Sequence, residues 1–218
     1  MGYSSRYAGC EKLLVSTWES LETNPQQRAF ILGVLVSATT LNDLEMLERW
    51  LPVAGEVLDQ RAIEEAILQT LLFAGFPKTI EALAQVRKYY PEPTQSQLVG
   101  DPKAAGHHTS GVIYGKYQDK LKQAMDRLHP DLTRWMIEDG YGRVLSRPGL
   151  ELTERELCVL ASLMTSGMLN QYRAHLRGAR YAGVSKVDII WFTNTFRCII
   201  APDLSDAFEA ITMEMLAA

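Results

Sequence analysis

Two side chains that can hold and transfer a proton, Glu156 and His175, lie in residues 153–183. The apolar pattern predicts a helix, a tight turn at residues 166–167 and a second helix. Such a hairpin can bring a carboxylate and an imidazole together, and the pair can then work as acid and base. Residues 178–179, Gly and Ala, continue the face of His175 and let a neighbouring helix approach closely.

Candidate substrate contacts lie beside His175. Gln171 precedes it by four residues, so the two share a helical face. Met168 begins the same helix, where free backbone N–H groups favour an anion. Arg147 precedes the hairpin and can bind a further carboxylate. Together these residues predict a pocket for a small di-acid.

Each of these residues also has a purely structural explanation. Thr153-x-x-Glu156 has the spacing of a capping box, which by itself accounts for Glu156. His175 on an amphipathic helix can simply be a packed, hydrogen-bonded histidine. Arg147, which precedes a proline, is also typical of a turn. The sequence leaves both sets of explanations open.

Helical periodicity dominates the chain, and no segment alternates convincingly as a strand, so we predict an all-α fold. Residues 91–115 are rich in proline, glycine and polar side chains and are predicted to form a linker. This divides the chain into an N-terminal helical repeat, residues 1–90, and a C-terminal repeat, residues 116–218. His107-His108 in the linker have no partner cluster and are interpreted as solvated, and we expect no metal site.

The two predicted units share a weak pattern. Arg28 and Arg155 begin similar apolar stretches, and each unit then has a glycine, an apolar helix, a proline and a final helix. We interpret them as tandem helical hairpins packed as a pseudo-dimer, because neither unit can cover its own apolar faces. Both arginines are expected to make structural ion pairs.

Composition and charge argue against several classes of protein. The net charge of −4 argues against a nucleic-acid partner. No apolar run approaches the length of a membrane span, and no signal peptide is visible, so we expect a cytoplasmic protein without a membrane partner. Three scattered cysteines exclude a disulfide framework and a zinc motif.

The stretches YGRVLSRPGLELTERELCVLASL and QYRAHLRGARYAGVS resemble the carboxymuconolactone decarboxylase family, and LLFAGFPKTIEAL resembles its helix-Gly-Phe-Pro-helix segment. This resemblance implies an all-α fold of paired helical hairpins that assembles into rings. Chains with tandem repeats would then form trimers in place of hexamers, so a homo-oligomer is expected.

Related alkyl hydroperoxidase-like proteins carry the pattern Glu-x11-Cys-x2-Cys-x3-His. In this chain the pattern falls on Glu156, Met168, Gln171 and His175, so the glutamate and histidine match and both cysteines are missing. Without these two cysteines the chain cannot form the thiolate or the disulfide that the peroxidase reaction uses, so that reaction is excluded. In the first repeat the equivalent positions hold Ala29, Leu41, Leu44 and Glu48, so the glutamate–histidine pattern is lost there. We therefore expect at most one site per chain.

The resemblance implies a cofactor-free decarboxylase acting on a small carboxylated lactone or related ring acid. His175 is the predicted proton donor and Glu156 its orienting partner, while Gln171, Arg147 and Met168 are the predicted substrate contacts. Two alternatives stay open: a ring-forming binding or scaffold protein without chemistry, and a redox protein that uses Cys158 or Cys198 alone.

Overall fold

The computed structural model describes residues 10–96 and 99–217 of the 218-residue chain. Throughout these ranges the regular structure is helical, and they contain no strand. The predicted all-α fold class is confirmed. The tandem-repeat arrangement stays a prediction.

The described ranges contain α-helices, two 3₁₀ turns and one π-helical segment. The α-helices are α1 (Glu11–Glu19), α2 (Asn24–Leu41), α3 (Leu44–Val57), α4 (Gln60–Gln69), α5 (Leu71–Tyr89), α6 (Pro102–Tyr114), α7 (Gln118–Leu128), α8 (Pro130–Trp135), α9 (Leu152–Ser166), α10 (Leu169–Ala182), α11 (Lys186–Phe196) and α12 (Pro202–Ala217). The 3₁₀ turns are Gly115–Tyr117 and Arg197–Ile199, and the π-helical segment is Met136–Leu145. The helix-Gly-Phe-Pro-helix segment lies in α5, which has a break at Gly75, where φ is +79°.

The core is built around α2 and α9, which pack against each other. Every residue of α2 from position 29 to 40 is buried, and so is every residue of α9 from position 155 to 164. Helices that are apolar on all sides belong in the middle of a structure. The hairpin α9–α10 that carries the candidate residues is therefore anchored on one side by the deepest part of the core.

The predicted linker, residues 91–115, is wrong over its second half, where α6 forms and packs against both the π-helical segment and α10. Asp101 caps this helix by accepting hydrogen bonds from the N–H groups of Lys103 and Ala104, and Pro102 occupies its first turn. The glycine that suggested a loop is a packing residue, since a Cβ at Gly106 would lie 1.9 Å from the carbonyl oxygen of Ile137.

The glycine-containing residues 140–149 are also partly helical. The π-helical segment continues through Gly140 and Gly142 as far as Leu145. Gly142 meets α6 closely, because a Cβ there would lie 2.0 Å from the carbonyl oxygen of Pro102. In both elements the glycine allows the backbones of two helices to come close together, and it does not break its own helix.

Within residues 10–96 and 99–217, no helix has both the length and the apolar character needed to cross a bilayer.

We expect Gly106→Ala and Gly142→Ala each to destabilise the protein, because the added methyl group would meet backbone atoms that cannot move independently. Over-packing of this kind costs about 1–3 kcal/mol and occasionally more. Urea unfolding followed by circular dichroism measures the change. Gly100→Ala is the control, since a Cβ there meets nothing within 4 Å. Equal stability of all three variants would contradict the proposed role of the glycines.

Candidate functional site

The structure brings Glu156 of α9 and His175 of α10 together. Nδ1 of the imidazole lies 2.9 Å from Oε2 of the carboxylate. Glu156 is 0% exposed and His175 is 6% exposed, so the pair lies almost entirely beneath the surface of the chain. A carboxylate at this depth needs a compensating charge or hydrogen bond, and the imidazole supplies it.

The predicted capping box at Thr153-x-x-Glu156 is wrong. Helix α9 begins two residues earlier than that pattern implies, with Glu151 at the N-cap position and Glu154 completing the box. The N–H of Glu151 donates to Oε2 of Glu154 at 3.0 Å. Glu156 therefore takes no part in capping, and its carboxylate is free to bind His175.

Glycine at position 178 makes the close packing of this pair possible. A Cβ there would lie 2.6 Å from Oε2 of Glu156 and 2.6 Å from Cγ2 of Ile113. The sequence-based inference that small residues on the His175 face admit a neighbouring helix is confirmed. The neighbours are α9 on one side and α6 on the other.

Two tyrosines that sequence reasoning missed complete the surroundings of the pair. The hydroxyl groups of Tyr114 and Tyr141 lie 2.6 Å apart, and the Tyr114 ring packs edge-on against His175 with ring centroids 6.1 Å apart. Tyr114 ends α6, inside the stretch that the sequence predicts as a linker, and Tyr141 lies in the π-helical segment. These tyrosines contact residues that are distant in the sequence, so no local sequence pattern indicates the contacts.

Burial keeps both phenols neutral. It raises the pKa of Tyr114 to about 12, against a smaller opposing effect of the hydrogen bond with Tyr141, and the nearby Glu156 carboxylate raises it further. The pKa of Tyr141 is also raised well above its ordinary value, first by burial and then by the adjacent Tyr114 and by Glu156. Both side chains are therefore hydrogen-bond donors over the whole neutral range.

The donor and acceptor roles in the pair follow from the carboxylate. An ionised carboxylate can only accept, so Nδ1 of His175 donates to Oε2 of Glu156. This leaves Nε2 as the ring nitrogen directed to other partners. The second oxygen of the carboxylate, Oε1 of Glu156, is buried without any hydrogen-bond partner among the described residues. Unsatisfied buried groups are rare in folded proteins and mark places where a further partner fits.

The predicted substrate contacts lie elsewhere. Met168, at the N-cap of α10, and Gln171, in its first turn, are exposed, whereas His175 is buried. The guanidinium of Arg147 binds the buried carboxylate of Glu65, with the Nη2–Oε1 distance at 2.7 Å and the Nε–Oε2 distance at 3.0 Å. The structure thus gives Arg147 a protein carboxylate as its partner.

The expected structural ion pairs are present. Arg155, which is 1% exposed, donates from Nη2 to Oε2 of Glu65 at 3.0 Å. It also binds the side chain of Gln69 and the carbonyl oxygen of Arg147. Arg28 donates from Nε to Oε1 of Glu154 at 2.9 Å. Through Arg155, helix α4 holds the beginning of α9 and so sets the direction in which Glu156 points.

In the described part of the chain, no cluster of three or more His, Cys, Asp or Glu side chains is placed to hold a metal ion. His107 and His108 are both exposed on α6.

A separate cleft of about 390 Å³ lies at the N-terminal ends of α2, α9 and α11. Its polar lining includes the capping carboxylates of α9 and Arg28, with Trp191 on one side. Neither Glu156 nor His175 lines it. Glu151 and Glu154 cap α9, Glu154 also pairs with Arg28, and Asp188 accepts a hydrogen bond from the hydroxyl of Ser185, so these carboxylates already have partners inside the protein.

The cysteines are poorly suited to redox chemistry. Cys158 is completely buried in α9, and burial raises its pKa far above the ordinary value. Burial also raises the pKa of Cys198 to about 12, and it raises that of Cys10. Sγ of Cys10 donates to the carbonyl oxygen of Cys198. Since the thiolate is the reactive form, all three thiols are held in the unreactive state.

Together, the fold and the site define an all-helical protein with a buried carboxylate–imidazole pair at a helical hairpin. Residues 130–192 match the family model described as "Carboxymuconolactone decarboxylase family". That segment includes Glu156, His175 and Tyr141 but not Tyr114. The resemblance inferred from the sequence is confirmed over this segment, where the chain is similar to that family.

A curated relative shows a more distant likeness. The chain is 26% identical over 135 residues to "Peroxisomal protein 2" of Schizosaccharomyces pombe (strain 972 / ATCC 24843). The match covers 59% of this chain and 63% of the relative. The chain therefore spans less than two thirds of the length of that protein.

The native protein should react slowly with an aromatic disulfide reagent at neutral pH, because the raised pKa values keep the three thiols protonated. Reactivity should increase only as the pH rises toward the pKa of each thiol, or after unfolding, when all three react. The release of the coloured thiolate measures the rate. A thiol that reacts rapidly in the native protein would reopen the redox alternative.

Proposed function

We propose that this chain is a decarboxylase-like enzyme that acts without a cofactor on a small carboxylated lactone or related ring acid, with His175 as proton donor. The observation that supports the proposal best is the buried hydrogen bond between Glu156 and Nδ1 of His175. It orients the imidazole and leaves Nε2 to face a substrate.

The proposed reaction needs little more than this pair. When the carbon–carbon bond to the carboxylate breaks, CO₂ leaves and the electron pair moves into the conjugated carbonyl of the substrate. Nε2–H of the His175 imidazolium then donates its proton to the carbon, and solvent restores the proton on the imidazole. Glu156 fixes the ring and stabilises the imidazolium, as a carboxylate does for a histidine acid. The electron sink is part of the substrate, so side chains can supply the remaining chemistry.

Substrate contacts are the weaker part of the proposal. Gln171 and Met168 are exposed at the start of the helix that carries His175, and they can contact the part of a substrate that stays near the surface. Arg147 would have to share its guanidinium between Glu65 and the substrate carboxylate. We therefore expect Gln171 to matter more for substrate binding than Arg147.

The alternative function is a binding or scaffold protein without chemistry. The near-complete burial of Glu156 and His175 favours it, and so do apolar side chains left exposed on α5 and α8, among them Phe76, Ile80 and Trp135. Exposed apolar surface of this kind is typical of interfaces between subunits. In both proposals we expect a homo-oligomer, with a trimer of tandem-repeat chains in place of a hexamer.

The compartment is also a proposal. We expect the cytoplasm from the sequence, and the name of the Schizosaccharomyces pombe relative adds the peroxisome as the other candidate. Imaging of the chain carrying an internal epitope tag in its native cell would distinguish the two.

If the proposal is correct, the purified protein consumes 4-carboxymuconolactone or a close analogue and releases CO₂. His175→Ala should lower kcat by roughly a hundredfold to ten-thousandfold, the usual contribution of a positioned acid. Loss of the lactone chromophore and CO₂ release measure the rate. His108→Ala is the matched control, because this histidine is exposed on α6.

Glu156→Gln should also lower kcat, since an amide cannot stabilise the imidazolium as a carboxylate does. A wild-type protein that leaves a whole panel of carboxylated lactones unchanged would refute the decarboxylase proposal and favour the scaffold alternative. Sedimentation of the same preparation would then test the assembly.

A further inference from the structure

Three polar functions around the Glu156–His175 pair have no partner in the described residues. Oε1 of Glu156 is buried without a hydrogen bond, and Nε2 of His175 is not used by the bond to Glu156. The hydroxyl groups of Tyr114 and Tyr141 share one hydrogen bond, which uses one of their two phenolic hydrogens. The second phenolic hydrogen is therefore available to another acceptor.

These functions belong to a single cluster. Tyr114 contacts the His175 ring, His175 is bonded to Glu156, and the charge of Glu156 acts on both tyrosines. Tyr114 is 7% exposed and Tyr141 is 5% exposed. An enclosed group of donors and acceptors with spare capacity can bind a further hydrogen-bonding partner.

We propose that the Tyr114–Tyr141 hydroxyl pair is a second catalytic element, which donates a hydrogen bond to the substrate oxygen on which negative charge develops. This inference rests on the proposed function and adds a hydrogen-bond donor to its site.

Such a donor would act on the charge that develops during this step. As CO₂ leaves, the bonding electron pair moves through the conjugated system to the carbonyl oxygen, which becomes an enolate. A phenol donor at that oxygen stabilises the enolate without giving up its proton. The enolate then collapses, and its carbon takes the proton from Nε2 of His175. Preorganised donors aimed at developing charge are a principal source of rate enhancement.

The two hydroxyl groups strengthen one another in this role. The tyrosine that accepts within the pair becomes a better donor of its own hydrogen, because chains of hydrogen bonds polarise their members. Burial holds both phenols in the protonated form, as described above.

A structural role is the competing explanation. The spare phenolic hydrogen would then satisfy Oε1 of Glu156, and the cluster would have no capacity left for a ligand. In that case the removal of a hydroxyl group would lower stability without changing the binding of an oxyanion. The two explanations therefore differ in a measurement that does not depend on catalysis.

The test uses 4-nitrophenol, whose visible absorption appears only on ionisation, as a probe for an enolate oxygen. Wild-type protein should bind the ionised form preferentially and increase its absorption at constant pH. Tyr114→Phe and Tyr141→Phe should each weaken binding of the ionised probe by about tenfold, as expected for one lost hydrogen bond to a charged group.

Two controls separate this effect from simple damage to the fold. Tyr172→Phe removes the hydroxyl of another buried tyrosine, which is bonded to Thr193 and Thr212 and not to the pair. It should bind the ionised probe as the wild-type protein does. Nitrobenzene, which has no oxygen anion, should bind the wild-type protein and both pair variants equally.

Failure of the ionised probe to bind wild-type protein, or equal binding by wild type and both pair variants, would overturn the inference. Preferential binding of the probe by a wild-type protein that leaves the lactones unchanged would refute the decarboxylase proposal and retain the oxyanion role. If the lactones are consumed, kcat of both pair variants should fall while KM changes little. Unchanged kcat would refute the catalytic role of the pair and retain the decarboxylase.

Discussion

The hydrogen bond between Glu156 and His175 is the interaction on which the candidate site depends. A carboxylate with no solvent exposure is costly unless it is paired, and a histidine at the same depth is likewise costly in its charged form. Placed 2.9 Å apart, each offsets the cost of burying the other. The absence of a side chain on Gly178 leaves room for the carboxylate between α10 and α6.

The direction of Glu156 is set from outside the hairpin. Arg155 precedes it by one residue, and neighbouring residues on a helix point about 100° apart, as follows from 3.6 residues per turn. Glu65 and Gln69 of α4 hold the Arg155 guanidinium on one side of α9, so the next side chain is turned toward α10. The capping carboxylates of Glu151 and Glu154 begin the helix in the register that this arrangement needs. A structural ion pair and a helix cap thus position the candidate acid–base pair.

Helix α6 contributes two of the side chains that surround the Glu156–His175 pair. It places Ile113 against Gly178 and brings Tyr114 to the His175 ring, and the π-helical segment adds Tyr141. Glycines on both elements allow the backbones to meet, which explains why a segment of loop-like composition is a packed helix. Composition alone does not distinguish a glycine that breaks a helix from one that accommodates a neighbouring backbone. The difference depends on what lies opposite, which is a tertiary property.

The sequence by itself determined the helical class, the hairpin of residues 153–183 and its carboxylate and imidazole, because these depend on periodicity and on spacing along one or two adjacent helices. It also determined that the dithiol reaction is excluded, since Met168 and Gln171 cannot form a disulfide. Only the tertiary structure decided that Glu156 faces His175 and takes no part in the cap. It also decided that Arg147 binds Glu65 and that two tyrosines, 27 positions apart in the chain, meet beside the pair. Those outcomes depend on contacts between distant segments, and the energy of such contacts leaves no periodic signal in the sequence.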